Sequence, residues 1–287
     1  MSIPNRPRRL FCFGLGYSGR ALARELLAAG WRVAGTSRSK AGLANLAALG
    51  VEALQFDALP DSALAGTTHL LSSVPPDESG DPVLARYGDA LSRLAPALAW
   101  SGYLSTTGVY GDSGGGWVDE GSPLAPSGPR QARRVAAEQA WGAALPVHIF
   151  RLAGIYGPSR SALDQVRAGT AKRINKPGHV FSRIHVDDIS NVLMASFARP
   201  DPGAIYNVCD DEPCEPAEVV TEACRLLGVA PPPLVPFNEA GLSPMAASFW
   251  RDNRRVRNDR IKRELGVVLR HPDYRSGLAA CLGRLGE

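Results

Sequence analysis

The sequence predicts an α/β protein, a Rossmann-type doubly wound parallel sheet with a smaller C-terminal substrate lobe. Three observations predict it. Short apolar strands alternate with amphipathic helices through the first half of the chain, a glycine-rich loop joins the first strand to the first helix, and the pattern loosens after Arg151, where Pro and Gly become frequent.

Residues 10–14 read as a buried strand around Phe11-Cys12-Phe13, followed by Gly14-Leu15-Gly16-Tyr17-Ser18-Gly19. A helix over 20–29 then carries Leu22, Leu26 and Leu27 on one face, and Gly30 closes it, because glycine accepts the left-handed conformation of a helix end. The second strand falls at 31–36, an Ala/Leu-rich helix at 41–49 is stopped by Gly50, and the third strand falls at 51–56. Strands at 68–74, 102–105 and 147–152 and helices at 83–98 and 129–141 continue the series. Strands separated by single helices imply a parallel sheet covered on both faces. Beyond it, two helical stretches at 216–227 and 258–265 stand among short strands, which predicts a smaller lobe. The expected division is a dinucleotide-binding domain over 1–155, with 180–210 returning to it, and a lobe over 156–287 that is mainly substrate-binding.

Composition excludes several classes. With 45% hydrophobic and 21% charged residues, the 287-residue chain suits a folded core and not a disordered polymer. Its apolar runs fall far short of the roughly 20 residues needed to cross a bilayer, so no membrane association is expected. No secretory signal is visible at the N-terminus, which makes the cytoplasm the expected compartment. Thirty-two basic against 28 acidic residues leave a net charge of +4, too small and too scattered for a nucleic-acid binder. The run from Arg251 to Arg263 is the local exception, with seven basic residues against two acids. The five cysteines are odd in number and widely spaced, with no CxxC pair and no neighbouring histidine cluster, so they read as reduced thiols and no metal site is expected.

The glycine loop carries the first functional signal. Between a strand and an amphipathic helix, Gly14, Gly16, Tyr17, Ser18 and Gly19 are placed to offer backbone N–H groups and a positive helix end to a pyrophosphate. The second strand selects the dinucleotide. NAD-dependent proteins usually place Asp or Glu about 20 residues beyond the glycines to hold the ribose hydroxyls. This chain has Gly35-Thr36-Ser37-Arg38 there, with no carboxylate to repel a 2′-phosphate. Ser37 and Arg38 can instead bond one, so NADP is favoured over NAD. Asp57, after the third strand, is a candidate for the adenine amino group or a turn former, and Ser73, at the end of the fourth, joins the cofactor-binding set.

The middle of the chain carries a resemblance. Leu104-Ser105-Thr106-Thr107-Gly108-Val109-Tyr110-Gly111, Arg151-Leu152-Ala153-Gly154-Ile155-Tyr156-Gly157-Pro158, Arg183-Ile184-His185-Val186-Asp187-Asp188-Ile189 and Tyr206-Asn207-Val208 together resemble the extended short-chain dehydrogenase/reductase family. Within it, the likeness is to the NAD-dependent epimerase/dehydratase group that acts on nucleotide sugars. The resemblance implies hydride transfer at nicotinamide, with a tyrosinate base, a lysine that lowers its pKa, and a Ser or Thr that polarises the reacting oxygen. Thr106 matches the Ser/Thr position. The Tyr-x-x-x-Lys motif belongs on the next helix, its lysine four residues before a glutamate. Anchoring on Glu138 puts Arg134 in the lysine position and Arg130 in the tyrosine position. Arginine keeps its proton and cannot serve as the base, so the signature tyrosine is missing, as in atypical members of the superfamily. Arg134 retains a cationic role toward the nicotinamide ribose or is a surface arginine; Tyr110 and Tyr156 are mainly structural in the family. Thr107-Gly108 replaces the Asp-Glu pair typical of sugar 4,6-dehydratases, which argues against that reaction.

The remaining motifs are weighed on the same footing. His185 is expected to anchor structure, and Asp187 and Asp188 to cap a helix beginning near Ile189. The resemblance places cations for a nucleotide diphosphate in the second lobe, with Arg254, Arg255 and Arg257 as candidates and a solvated helix face as the alternative. Residues 111–116 read as a glycine-rich flap. The expectation is an NADP(H)-dependent oxidoreductase or epimerase-like enzyme acting on a small-molecule substrate, nucleotide-linked or a small polar carbonyl or hydroxyl compound, as a homodimer through helices 83–98 and 129–141. The alternative is a sensor or scaffold that binds NADP and has lost catalysis with the tyrosine.

Overall fold

The computed structural model describes residues 8–284. The chain divides into two compact units. The first takes the chain up to Thr106 with Ala132–Arg151 and Ile189–Tyr206; the second takes Thr107–Gln131, Leu152–Asp188 and the chain from Asn207. The segment 107–131, N-terminal to the expected boundary at 155, thus groups with the second unit.

The first unit is built on a seven-stranded sheet: β1 Arg9–Phe13, β2 Arg32–Ser37, β3 Glu52–Gln55, β4 His69–Ser72, β5 Trp100–Thr106, β6 His148–Leu152 and β7 Ile205–Val208. Their order is β7-β6-β5-β4-β1-β2-β3. β1 lies parallel between β2 and β4, pairing Phe11 with Ala34 on one side and with Leu70 on the other. The strand order therefore reverses at the end of β1, the switch point where doubly wound sheets bind ligands. Helices α1 Tyr17–Ala28, α2 Lys40–Ala48, α3 Pro82–Leu94 and α4 Pro129–Ala144 flank the sheet.

The core explains why these segments hold their form. Every residue of β1 is buried, and Phe11 and Phe13, two apart on one face, pack in a cluster with Leu70, Tyr103 and Trp141. Asp81 joins two helices: one carboxylate oxygen accepts the Val83 and Leu84 amides to cap α3, and the other accepts the Trp141 indole N–H of α4 at 2.8 Å. Gly30 (φ +79°) follows α1 in the left-handed conformation that its position predicted.

The second unit contains three small parallel pairs: Gly154–Tyr156 with Arg183–His185, Arg173–Asn175 with Leu234–Pro236, and Trp117–Val118 with Arg255–Val256. Its helices are α5 Ala162–Arg167, the start of α6 Val186–Ala198, α7 Pro216–Leu227, α8 Pro244–Phe249, α9 Asp259–Leu265 and α10 Tyr274–Gly283. Leu163, Val219, Ala223, Tyr274, Leu278 and Cys281 form one of its cores. The sequence reading did not predict α10, which Asp273 caps through the Ser276 amide.

Two expectations are corrected here. α6 begins at Val186, so Asp187 and Asp188 lie in its first turn instead of capping it. Asp188 is buried and its carboxylate accepts the Arg270 and His271 amides at 2.7 and 2.9 Å, while Asp187 pairs with Arg284 at 2.9 Å. The glycine-rich segment is no free flap. Ser113 and Gly115 donate to the Asn253 carbonyl, the Arg255 amide donates to Gly116, and Arg254 Nη1 donates to the Gly111 carbonyl at 2.7 Å. Among the described residues, all five cysteines are buried and free, and no helix is long and apolar enough to cross a membrane.

Candidate cofactor-binding site

The loop after β1 is shaped by three glycines with three separate reasons. Gly14 turns the chain at φ +70°, and a Cβ there would meet Val74 Cγ2 at 2.8 Å. A Cβ on Gly16 would find its nearest neighbour at 3.8 Å, so the loop is bare on that side and a phosphate can approach the backbone closely. A Cβ on Gly19 would press on Leu15 at 3.3 Å and Cys12 at 3.5 Å, so this glycine lets α1 pack against β1. The loop is fixed from β2: the Gly14 amide donates to Thr36 Oγ1 at 2.8 Å and the Leu15 amide to the Thr36 carbonyl at 3.0 Å. Ser73 Oγ donates to the Gly14 carbonyl, and its amide donates to Phe13. Ser73 therefore braces the loop from β4.

α1 starts at Tyr17, three residues before the predicted start, which brings Tyr17, Ser18 and Gly19 into its first turn. No side chain caps it at Gly16. A helix N-terminus carries partial positive charge and suits an anionic acceptor. These residues fit the pyrophosphate of a dinucleotide.

At the end of β2 the backbone turns through Ser37, whose hydroxyl accepts the Ser39 amide at 3.3 Å, while Ser39 caps α2 through the Gly42 amide at 3.0 Å. Arg38 is exposed, and its guanidinium makes no hydrogen bond or ion pair among the described residues. Asp57 is exposed in a short 3-10 turn, Phe56–Ala58, and lies 4.0 Å from Arg86. One acid near the β2–β3 side of the sheet is thus matched by its own cation.

No protein-family model matches the chain. A solved structure described as that of a functionally unknown conserved protein from Silicibacter pomeroyi DSS is 53% identical, with TM-score 0.93, over 96% of this chain and 99% of that one. The chain belongs to that protein's family. Protein YeeZ of Escherichia coli (strain K12) is 29% identical over 93% of this chain and 97% of its own length. The dTDP-glucose 4,6-dehydratase of Bacillus anthracis str. Ames, solved in complex with NAD, is 18% identical with TM-score 0.74, covering 96% of each chain. The chain shares the fold of that enzyme.

Thr106 ends β5 and is half-buried. Arg134 is held against the same strand: its Nη1 donates to Tyr103 Oη at 2.8 Å and to the Leu104 carbonyl at 3.1 Å. Burial is the main force pushing the Tyr103 phenol up to about 12, so it stays protonated. Arg130, in the tyrosine position, is exposed, with its guanidinium 4.5 Å from the Phe249 ring centroid. Glu138, the residue that fixed this register, is buried in a network that sequence reasoning missed. It accepts Ser105 Oγ at 2.5 Å and pairs with Arg151, whose Nη2 lies 2.8 Å away. The signal was present, since a charged pair in predicted buried elements requires internal partners.

The other tyrosines are tied structurally. Tyr110 Oη donates to Asn207 Oδ1 at 2.7 Å, and Tyr156 Oη donates to the Asp273 carbonyl at 3.3 Å. The basic candidates of the second unit are largely committed as well. Arg254 pairs with Asp252 at 3.3 Å in addition to Gly111, Arg255 Nη1 donates to the Gly115 carbonyl, and Arg257 lies 3.7 Å from Asp259 and 5.1 Å from the Trp117 ring centroid.

Proposed function

We propose that the chain is a cytoplasmic NADP(H)-dependent oxidoreductase or epimerase-like enzyme acting on a small carbonyl or hydroxyl compound. The observation that carries the reading is the uncommitted Arg38 guanidinium beyond a loop made bare by Gly16. Gly14, Gly16, Tyr17, Ser18 and Gly19 would hold the pyrophosphate, with Ser73 bracing the loop, and Ser37 and Arg38 the 2′-phosphate. Asp57 faces the adenosine end of the sheet by its position after β3. The dinucleotide supplies hydride chemistry when bound. The chain's own contribution is orientation and polarity: the Thr106 hydroxyl polarises a substrate oxygen, and Arg134 adds positive charge beside it from its anchored place on β5. Arg130 cannot accept a proton, so the proton moves through another donor or water.

Commitment of Arg254 and Arg255 to loop carbonyls favours the small carbonyl or hydroxyl substrate over a nucleotide-linked one. A homodimer through α3 and α4 completes the proposal and is checked by light scattering. A non-catalytic NADP-binding sensor is the second reading, favoured by the arginine in the tyrosine position. The two are separated by mixing the protein with NADPH and a panel of aldehydes and ketones. Substrate-dependent NADPH oxidation that falls in Thr106→Ala supports the enzyme; no turnover with any compound, alongside intact NADPH binding, supports the sensor.

A further inference from the structure

The second unit carries a pocket of its own, open to solvent and about 780 Å³ in volume. Its walls are chiefly apolar and aromatic, with Tyr156, Phe181, Val220, Trp250 and Tyr274 among them. Trp250 is held edge-on to Phe181 with ring centroids 5.3 Å apart. Such walls suit a planar apolar body.

The charged groups in the wall are unequal. Asp164 is consumed as a capping residue, accepting the Ser161 amide and hydroxyl at 2.7 and 2.6 Å. Lys172 donates to the Ala240 carbonyl at 2.8 Å. Arg183 is anchored through Nη1 alone, to the Phe181 and Cys214 carbonyls at 2.9 and 3.3 Å and to Cys214 Sγ at 3.0 Å. Its Nε and Nη2 have no protein acceptor among the described residues, although the side chain is held in place.

Next to Arg183 lies Asp210, whose amide donates to the Arg183 carbonyl at 2.7 Å. Asp210 is 1% exposed, and neither carboxyl oxygen has a partner among the described residues. Burial pushes this carboxyl up to about 8, against the field of Arg183 and the backbone amides of Arg183 and Glu212, with Asp211 adding to the rise. The other groups coupled to it, Tyr156, Cys209 and Cys214, are themselves pushed up by burial and stay neutral. Asp211 is engaged with Lys262 and Asn258 at 2.5 and 2.6 Å. Burial thus favours the protonated form of the acid beside Arg183, so it competes less for the arginine's charge.

We propose that this cavity binds a small organic anion with an apolar aromatic body, its single oxyanion held by Nε and Nη2 of Arg183. A guanidinium presents two parallel N–H donors in the geometry an oxyanion accepts. A nucleoside diphosphate fits poorly, because it brings a polar ribose to aromatic walls. The proposal concerns ligand binding by the second unit and stands apart from the cofactor reading.

The test uses the full chain without added dinucleotide and isothermal titration calorimetry with three probes: 1-naphthaleneacetate, its uncharged analogue 1-naphthaleneethanol, and uridine diphosphate. The acid is expected to bind at least tenfold more tightly than the alcohol and not to be displaced by the diphosphate. Arg183→Gln should weaken the acid about tenfold or more while leaving the alcohol unchanged. Raising the pH from about 7 to about 9 should weaken the acid as Asp210 ionises and neutralises Arg183, and Asp210→Asn should remove that dependence. Failure of the acid to bind, equal binding of acid and alcohol, displacement by the diphosphate, or affinity that is flat with pH would overturn the proposal. Should Arg183→Gln fail to fold, the acid and alcohol comparison on the unaltered protein decides.

Discussion

Replacing Glu138 should damage the first unit far more than its place in the middle of a surface-covering helix suggests. Glu138 and Arg151 are 4% and 3% exposed at the side chain, and together with Ser105 they join α4 to β5 and β6. Arg151 Nε reaches both carboxylate oxygens at 3.2 Å and Nη2 reaches one at 2.8 Å. Removing one member leaves the other charge buried without compensation, a loss of about 3–5 kcal/mol. That is a large share of the roughly 5–15 kcal/mol that holds a typical domain folded. Removing both charges at once is different, because desolvation of the pair offsets most of its attraction. Urea denaturation at constant pH should therefore show Glu138→Ala and Arg151→Met each losing about 3–5 kcal/mol, while Glu138→Leu with Arg151→Met loses far less than the sum. Single losses below about 1 kcal/mol, or strict additivity, would show that the two charges do not depend on each other.

Three further outcomes are expected. Gly14→Ala should weaken dinucleotide binding and lower Tm, since the new Cβ meets Val74 at 2.8 Å on a backbone of φ +70°; an unchanged Tm and affinity would contradict this. Burial lowers His69 and His185 from 6.5 to about 4, so both are neutral when folded and bind protons on unfolding. Their contribution is complete above pH 6.5 and is lost as pH falls toward 4, and Tm measured across that window should decline; a flat profile would sink the point. Arg254→Met should loosen the 111–116 loop, seen as faster amide hydrogen exchange there, because it removes the tie to the Gly111 carbonyl; unaltered exchange would show that the backbone bonds from Asn253 suffice.

The first unit was legible because its signals are local. Gly30 and Gly50 adopt φ of +79° and +84° just past their helices, where a residue without Cβ is favoured, and the apolar strands lie in the sheet where the alternation put them. Local signals also misled. Arg9 falls outside the predicted first strand, yet it is 4% exposed within β1, donating to the Ala63 carbonyl and Thr67 Oγ1 at 2.9 Å and pairing with Glu52. Its acceptors lie more than forty residues away, beyond any local pattern. The basic run beginning at Arg251 admits an anion site or a solvated helix face from sequence, and in the fold Arg254 and Arg255 donate to carbonyls about 140 residues away in sequence. Asp188 resembles a helix cap by its position, and its carboxylate is spent on the Arg270 and His271 amides. The second unit is assembled from three separated segments, so its ties are made between residues whose neighbours in sequence give no hint of them.

The proposed function requires that the loop after β1 and the uncommitted Arg38 bind NADP in preference to NAD. The most direct test is the ratio of dissociation constants for NADP and NAD, measured by calorimetry on the unaltered protein and on Arg38→Ala. A charge-assisted contact to the 2′-phosphate contributes about 1.5–3 kcal/mol, so NADP should bind roughly tenfold to a hundredfold more tightly than NAD, and Arg38→Ala should erase most of that preference. Equal or tighter binding of NAD, or a preference for NADP that survives Arg38→Ala, would show that Arg38 does not select the 2′-phosphate.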